Sequence, residues 1–161
     1  MKPYRKNNRL ADYDYSQPGA YFVTVCTQNR ANILCSIVGG DAHIAPHAAL
    51  TTAGKIAEKF IKTIPGIDSY VIMPNHVHMI LRISARAPGL GPIWEDAPTE
   101  ASIPNLVRSW KTLVSKEIGR SIWQRSFYDH IIRDEEDYTV KANYIANNPA
   151  KWQEDENYNR G

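Results

Sequence analysis

Residues 69–83 read SYVIMPNHVHMILRI, and the way this stretch folds decides how the rest of the chain is arranged around it. An apolar, partly β-branched run at 70–73 meets the turn formers Pro74 and Asn75, and an apolar run resumes at 79–81. That is the pattern of two strands joined by a tight turn. Side chains alternate along a strand, so His76 and His78 share one face while Val77 and Met79 take the other. Two imidazoles a few ångströms apart at the start of a buried strand suit a metal ion. Histidines in strands also occur as hydrogen-bonded rim residues, and the pair by itself leaves both readings open.

Upstream, YFVTVCT at 21–27 predicts a strand and the apolar run at 33–38 a short second one. Residues 39–47 read as a loop holding His43 and His47, whose spacing of four would align them only on a helix that Pro46 forbids. Thr51 or Thr52 caps a helix running to Ile64, with Ala53, Ile56, Ala57, Phe60, Ile61 and Ile64 as its apolar stripe and Pro65-Gly66 as its stop. Downstream of the histidines, residues 85–104 are rich in Pro and Gly without periodicity and read as a long loop. Helical spacing returns at 103–118, where Ile103, Leu106, Val107, Trp110, Leu113, Val114 and Ile118 face inward and Arg108, Lys111 and Ser115 share another face that could bind phosphates. Residues 126–133, SFYDHIIR, read as a last strand. The acids at 134–137 open a closing helix that runs to about Asn148, where Pro149 stops it. Residues 1–19 form a basic, tyrosine-bearing arm and residues 150–161 a frayed polar tail.

After the arm the order is strand, short strand, helix, hairpin, helix, strand, helix. The fold class expected is α+β, a ferredoxin-like βαββαβ antiparallel sheet with an extra C-terminal helix. A length of 161 residues with 43% hydrophobic content makes one core, so residues 1–161 are read as a single domain. Cys26 and Cys35 match no metal or redox spacing and read as reduced thiols of a cytoplasmic protein. No apolar run approaches the roughly 20 residues that span a bilayer, and MKPYRKNNRL is too polar for a secretory signal, so no membrane partner is expected. A net charge of +2 is too small to argue for nucleic acid by its sum. Its distribution is uneven: Arg5, Lys6 and Arg9 stand in the arm, and Arg108, Lys111, Lys116, Arg120 and Arg125 follow later. Cations mixed with tyrosine rings could lie along a single strand, phosphates on the cations and bases on the rings.

On the closing helix, Tyr144 and Asn148 are four residues apart and share a face, while Tyr138 joins Ala142 and Ile145 on the stripe facing the core. One helix therefore presents a phenol and an amide oxygen together. Taken singly, Tyr144 is a half-buried aromatic and Asn148 a residue tolerated at a helix end.

Three pieces, RLADYDYSQPGAYFVTVCTQNR near the start, SYVIMPNHVHMIL at the centre and WQRSFYDHIIRDEEDYTVKANYIANNP near the end, resemble the REP-associated tyrosine transposases. These belong to the single-tyrosine branch of the HUH nucleases and transposases, and the resemblance covers nearly the whole chain. It implies His76 and His78 as ligands of a divalent cation, Mg²⁺ or Mn²⁺, with Asn148 as third ligand where related transposases commonly carry Gln, and Tyr144 as the nucleophile. It also implies single-stranded or hairpin DNA as substrate, cut and rejoined through a 5′-phosphotyrosine in DNA transposition and recombination, and a nucleoid-associated place in the cytoplasm. A homodimer is one assembly open to it. Arg5, Lys6, Arg9, Arg108, Lys111 and Ser115 are the candidate DNA contacts. Two other classes stand beside this one: a hydrolase using metal-activated water, set apart by a dispensable Tyr144, and a catalytically silent DNA-binding domain, set apart by histidines that bind no metal.

Overall fold

Strand β1 (Gly19–Cys26) and strand β5 (His76–Ile83) are the axis of the fold, antiparallel along their whole lengths from Gly19 opposite Ile83 to Cys26 opposite His76. The computed structural model describes residues 12–83 and 102–158. Strand β4 (Ile67–Ile72) pairs with β5, strand β6 (Tyr128–Ile132) pairs with β1, and the four-stranded sheet has the order β4-β5-β1-β6, all antiparallel. With helix α1 (Thr52–Ile61) between β1 and β4, and helix α2 (Ile103–Ile118) between β5 and β6, this is the expected ferredoxin-like layout with the histidine strand inside the sheet. Helix α3 (Glu135–Asn147) is the additional C-terminal helix. Among the described residues, no helix is long and apolar enough to cross a membrane.

Alternation along the strands decides the layers. Tyr21, Val23 and Val25 of β1 and Val77, Met79 and Leu81 of β5 point to one face, where α1 and α2 cover them in the main core with Ala57, Ile61, Val107 and Trp110. Ala20 and Phe22 of β1 and Ile80 of β5 point to the other, where Tyr138, Ala142 and Ile145 of α3 pack on them. The helix ends carry the expected punctuation. Thr51 accepts the Gly54 N–H, Ser102 the Asn105 N–H and Asp134 the Asp137 N–H, and α2 closes on Gly119 at φ 89°. Gly66 holds φ 80° beside the Arg82 carbonyl, where a Cβ would lie 2.0 Å from the oxygen; only glycine lets the chain enter β4 that closely.

Three features depart from the sequence reading. Residues 39–47 are not loop to their end: strand β3 (His47–Leu50) pairs with β2 (Cys35–Val38) as a separate two-stranded hairpin. Leu113, expected on the inward stripe of α2, is 43% exposed, because that helix buries a narrower face, Ile103, Leu106, Val107, Trp110 and Val114. Residues 150–158 do not fray. A 3-10 helix over Pro149–Glu154 turns the chain back across the sheet, and Asn157 is buried, its carbonyl accepting from the Asn75 side chain at 2.7 Å. Most of the arm, including Arg5, Lys6 and Arg9, and most of the 85–104 loop lie outside the described residues.

Candidate active site

On the α3 side of the sheet, β5 presents His76 and His78 and β1 presents Thr24 and Cys26 opposite them. Both histidines are buried, His76 completely, and their rings stand 4.4 Å apart at 68°. Each ring is fixed from behind through Nδ1. Asn75, in the tight turn, donates through Nδ2 to the Asn157 carbonyl at 2.7 Å, which settles which way its amide faces. Its Oδ1 is then the atom 2.8 Å from His76 Nδ1, so that nitrogen carries a proton and Nε2 is the atom that faces the site. Thr24 Oγ1 stands 2.7 Å from His78 Nδ1 and braces that ring. Phe22 stacks on His78 at 5.2 Å.

The two Nε2 atoms converge on a residue outside every predicted site, Asp155. Its Oδ2 lies 3.5 Å from His76 Nε2 and 4.0 Å from His78 Nε2, and its side chain is 2% exposed. Both Nε2 atoms are buried without a hydrogen-bond partner. Burial, opposed by Asp155 and reinforced by the charge of His76, pushes His78 down to about 4, so this imidazole is neutral at physiological pH. Burial would raise the Asp155 carboxyl, but the facing imidazoles and the Asn157 N–H outweigh it and hold it below the usual carboxylate range. A carboxylate and two imidazoles thus converge on one small space, their ligand atoms all within 4.8 Å of one another. That donor set suits a divalent cation of the Mn²⁺ or Zn²⁺ type better than it suits Mg²⁺, which favours oxygen alone.

Helix α3 supplies the remaining groups. The Tyr144 ring stands edge-on to His78 at 5.1 Å, and its hydroxyl is 3.3 Å from Asp155 Oδ2. The side chain is 38% exposed, so the phenol lines an open site. Burial of the ring and then the charge of Asp155 raise the phenol above its ordinary value, while the Asn148 amide works against them. Asn148 is buried, and its Oδ1 has no hydrogen-bond partner. The sequence-predicted Tyr144, His76, His78 and Asn148 are thus brought together. Tyr138 points away, donating to Asp68 at 2.7 Å.

Other candidates fall elsewhere. Arg108, Lys111 and Ser115 belong to α2, on the opposite side of the sheet from the histidines. Lys111 directs its ammonium to the carbonyls of Gln124 and Arg125 at 2.6 and 3.2 Å. His43 and His47 are exposed on the β2–β3 hairpin. Asp155 was missed because WQEDENYN has no period to place it. The available signal was local: an Asp two residues before an Asn makes an Asx turn, here Asp155 Oδ1 accepting the Asn157 N–H at 2.7 Å. Trp152 and Tyr158, ring to ring at 5.1 Å, are further marks of a packed segment.

No protein-family model matches the chain. An uncharacterized protein of Haemophilus influenzae is 32% identical over 174 residues, a span covering 96% of this chain and 93% of that protein. A REP-associated tyrosine transposase of Escherichia coli is 26% identical over 138 residues, covering 85% of this chain and 70% of that one. Among solved structures, that of a REP-associated tyrosine transposase bound to a REP hairpin superposes with a TM-score of 0.60 at 23% identity, covering 94% of this chain and 74% of that chain. At that identity the likeness lies in the fold.

Proposed function

We propose that the chain, which is similar to REP-associated tyrosine transposases at 26–28% identity, is a member of that family and a metal-dependent single-stranded DNA endonuclease and strand transferase acting through a 5′-phosphotyrosine on Tyr144. The observation that carries this reading is the convergence of His76 Nε2, His78 Nε2 and Asp155 Oδ2 beside the Tyr144 hydroxyl. Buried electron pairs left without hydrogen-bond partners are what a cation site requires. His76, His78 and Asp155 would hold the ion, with Asn148 Oδ1 as a further donor. When bound, a divalent cation neutralises charge on the non-bridging oxygens of a phosphodiester.

The chain's own residues do the rest. Asn75 and Thr24 keep the imidazoles aimed, and α3 keeps the phenol beside them. Tyr144 Oη forms a bond to phosphorus, the bond from phosphorus to the 3′ oxygen breaks, the phenolic proton is lost and the leaving 3′ oxygen is protonated. One ester replaces another, so no nucleotide cofactor is needed, and attack by a different 3′-hydroxyl reverses the step and joins strands. Tyr144 and the histidines stand together within one chain. DNA of single-stranded or hairpin form is the proposed partner, in the nucleoid-associated cytoplasm.

The test is incubation with hairpin oligonucleotides bearing single-stranded flanks, with Mn²⁺ or Mg²⁺, followed by a denaturing gel. A protein-linked DNA band that Tyr144→Phe abolishes is expected. Cleavage without any adduct would transfer the reading to a hydrolase.

A further inference from the structure

We propose that the groove beside the candidate active site holds one nucleotide flanking the scissile phosphate, with Tyr128 as the platform on which its base stacks. The inference rests on the reading of the chain as a single-strand transferase. The groove has a volume of about 280 Å³, and its lining includes Thr24, Arg30, Ser126, Tyr128 and Asn157. That is close to the lower end of small-ligand sites, enough for one nucleotide and too little for a duplex.

Register places it. Thr24 pairs with His78 on one side and with Tyr128 on the other, so the three side chains stand in one row on one face of the sheet. Tyr128 is two strands from His78, roughly 10 Å. Two walls of the groove are also the supports of the histidines: Thr24 holds His78, and Asn157 holds Asn75, which holds His76. A strand whose phosphate lies at the histidines and Tyr144 has this groove as its immediate continuation.

Its chemistry suits a nucleotide. Tyr128 is 49% exposed, a large aromatic ring on the functional face, and base stacking on such rings tolerates any base. Arg30 brings a cation to the edge of the groove, its guanidinium also donating to the Glu156 carbonyl at 3.4 Å, on a turn whose geometry is unusual. Asn29 and Arg30 are consecutive non-glycine residues at φ 56° and 53°, held by Arg30 N–H to the Thr27 carbonyl and Thr27 Oγ1 to the Ala31 carbonyl. Left-handed backbone at a non-glycine residue is costly and persists where its surroundings impose it, commonly at ligand sites.

The experiment measures binding of the full chain to a hairpin oligonucleotide with single-stranded thymidine flanks, and to the same hairpin with one abasic site stepped along the flanks. Tyr128→Ala is expected to weaken binding to the intact flank about tenfold. The loss should disappear when the abasic site occupies one particular position. Tyr128→Phe, which keeps the ring, should bind within about twofold of the parent and still form the adduct, which also separates a stacking ring from a nucleophile. If Tyr128→Ala binds like the parent, or loses the same amount at every abasic position, the subsite is wrong while the transferase reading stands. If the parent protein binds a featureless duplex as well as the flanked hairpin, the single-strand reading itself falls and this inference with it.

Discussion

The two faces of the central sheet are made by the same two strands and are buried to a similar degree, yet they are different materials. Toward α1 and α2, Tyr21, Val23, Val25, Val77, Met79 and Leu81 are all fully buried, and apart from the tyrosine hydroxyl they have no side-chain polar atom to satisfy. Toward α3, His76 and His78 are buried just as deeply while their Nε2 atoms lack hydrogen-bond partners. Burial on the first face is stability; on the second it is stability spent to hold electron pairs ready. The covering helices differ accordingly. Helix α2 buries Ile103, Leu106, Val107, Trp110 and Val114, whereas α3 buries Ile145 alone. Polar clamps hold α3 instead: Tyr138 with Asp68 and Arg82, and Asp137 with His130 at 2.8 Å. A substitution on one face should therefore leave the other face's property nearly untouched.

The largest expected effect is on the functional face. Tyr144→Phe removes one oxygen and no packing, so the covalent DNA adduct should vanish, a loss of at least about 5 kcal/mol in transition-state terms, while the melting temperature stays within about 2 °C. An adduct persisting in this variant, mapped by mass spectrometry to Tyr128 or Tyr138, would break the assignment of the nucleophile. Next comes the double variant His76→Ala, His78→Ala. Mn²⁺ affinity by calorimetry should fall at least about a thousandfold, near 4 kcal/mol, with the fold retained. Unchanged affinity would remove the histidines from the site. Asp155→Ala and Asn148→Ala sharpen the same point, since the larger loss identifies the principal third ligand.

The first face was legible in the sequence and the second only in part, for a physical reason. Periodicity reports apolar burial: it placed β1, the hairpin and the stripes of α1 and α3, and it overran on α2 only at Leu113, where the helix turns toward water. A site is defined by convergence of segments distant in sequence, which no period records. His76, His78, Tyr144 and Asn148 could be named because a family pattern carried them. Asp155 sits in a polar run whose burial follows from Asn75 gripping the Asn157 carbonyl across the sheet, a contact between residues 82 apart in the chain. Lys111, read from its helical face as a phosphate contact, directs its ammonium to two carbonyls on the α2 side of the sheet, a local pairing that no period records either.

Met79 lies next to His78 and belongs to the other face. Met79→Ala should cost about 3 kcal/mol of folding stability in urea, within the range for a fully buried methionine. At temperatures where the variant remains folded, Mn²⁺ affinity should be within about twofold of the parent. A large loss of affinity without loss of stability would mean that the two faces are not separable.

The smallest effect tests the clamp that seats α3. Tyr138 donates to Asp68 Oδ2 at 2.7 Å, and Arg82 donates to Oδ1 at 2.9 Å while lying 4.7 Å from the Tyr138 ring. Burial pushes the Asp68 carboxyl up, but the hydrogen bonds from Tyr138 and Arg82 and the charge of Arg82 outweigh it, so its folded value lies below the ordinary one of 3.8. A carboxyl depressed in the folded state contributes stability that is present above its unfolded value and lost as pH falls through the folded one. Tyr138→Phe should therefore cost about 1 kcal/mol at pH 7, since the cluster is partly open to water, and the difference from the parent should shrink below pH 4 as Asp68 takes up its proton. Urea denaturation at neutral pH and near pH 3 reads both numbers. A deficit that stays constant across that range would mean that the hydroxyl acts independently of the Asp68 charge, and no deficit at either pH would mean that the tyrosine seats α3 through its ring on Phe22 and Ile80, by apolar contact as α1 and α2 are held.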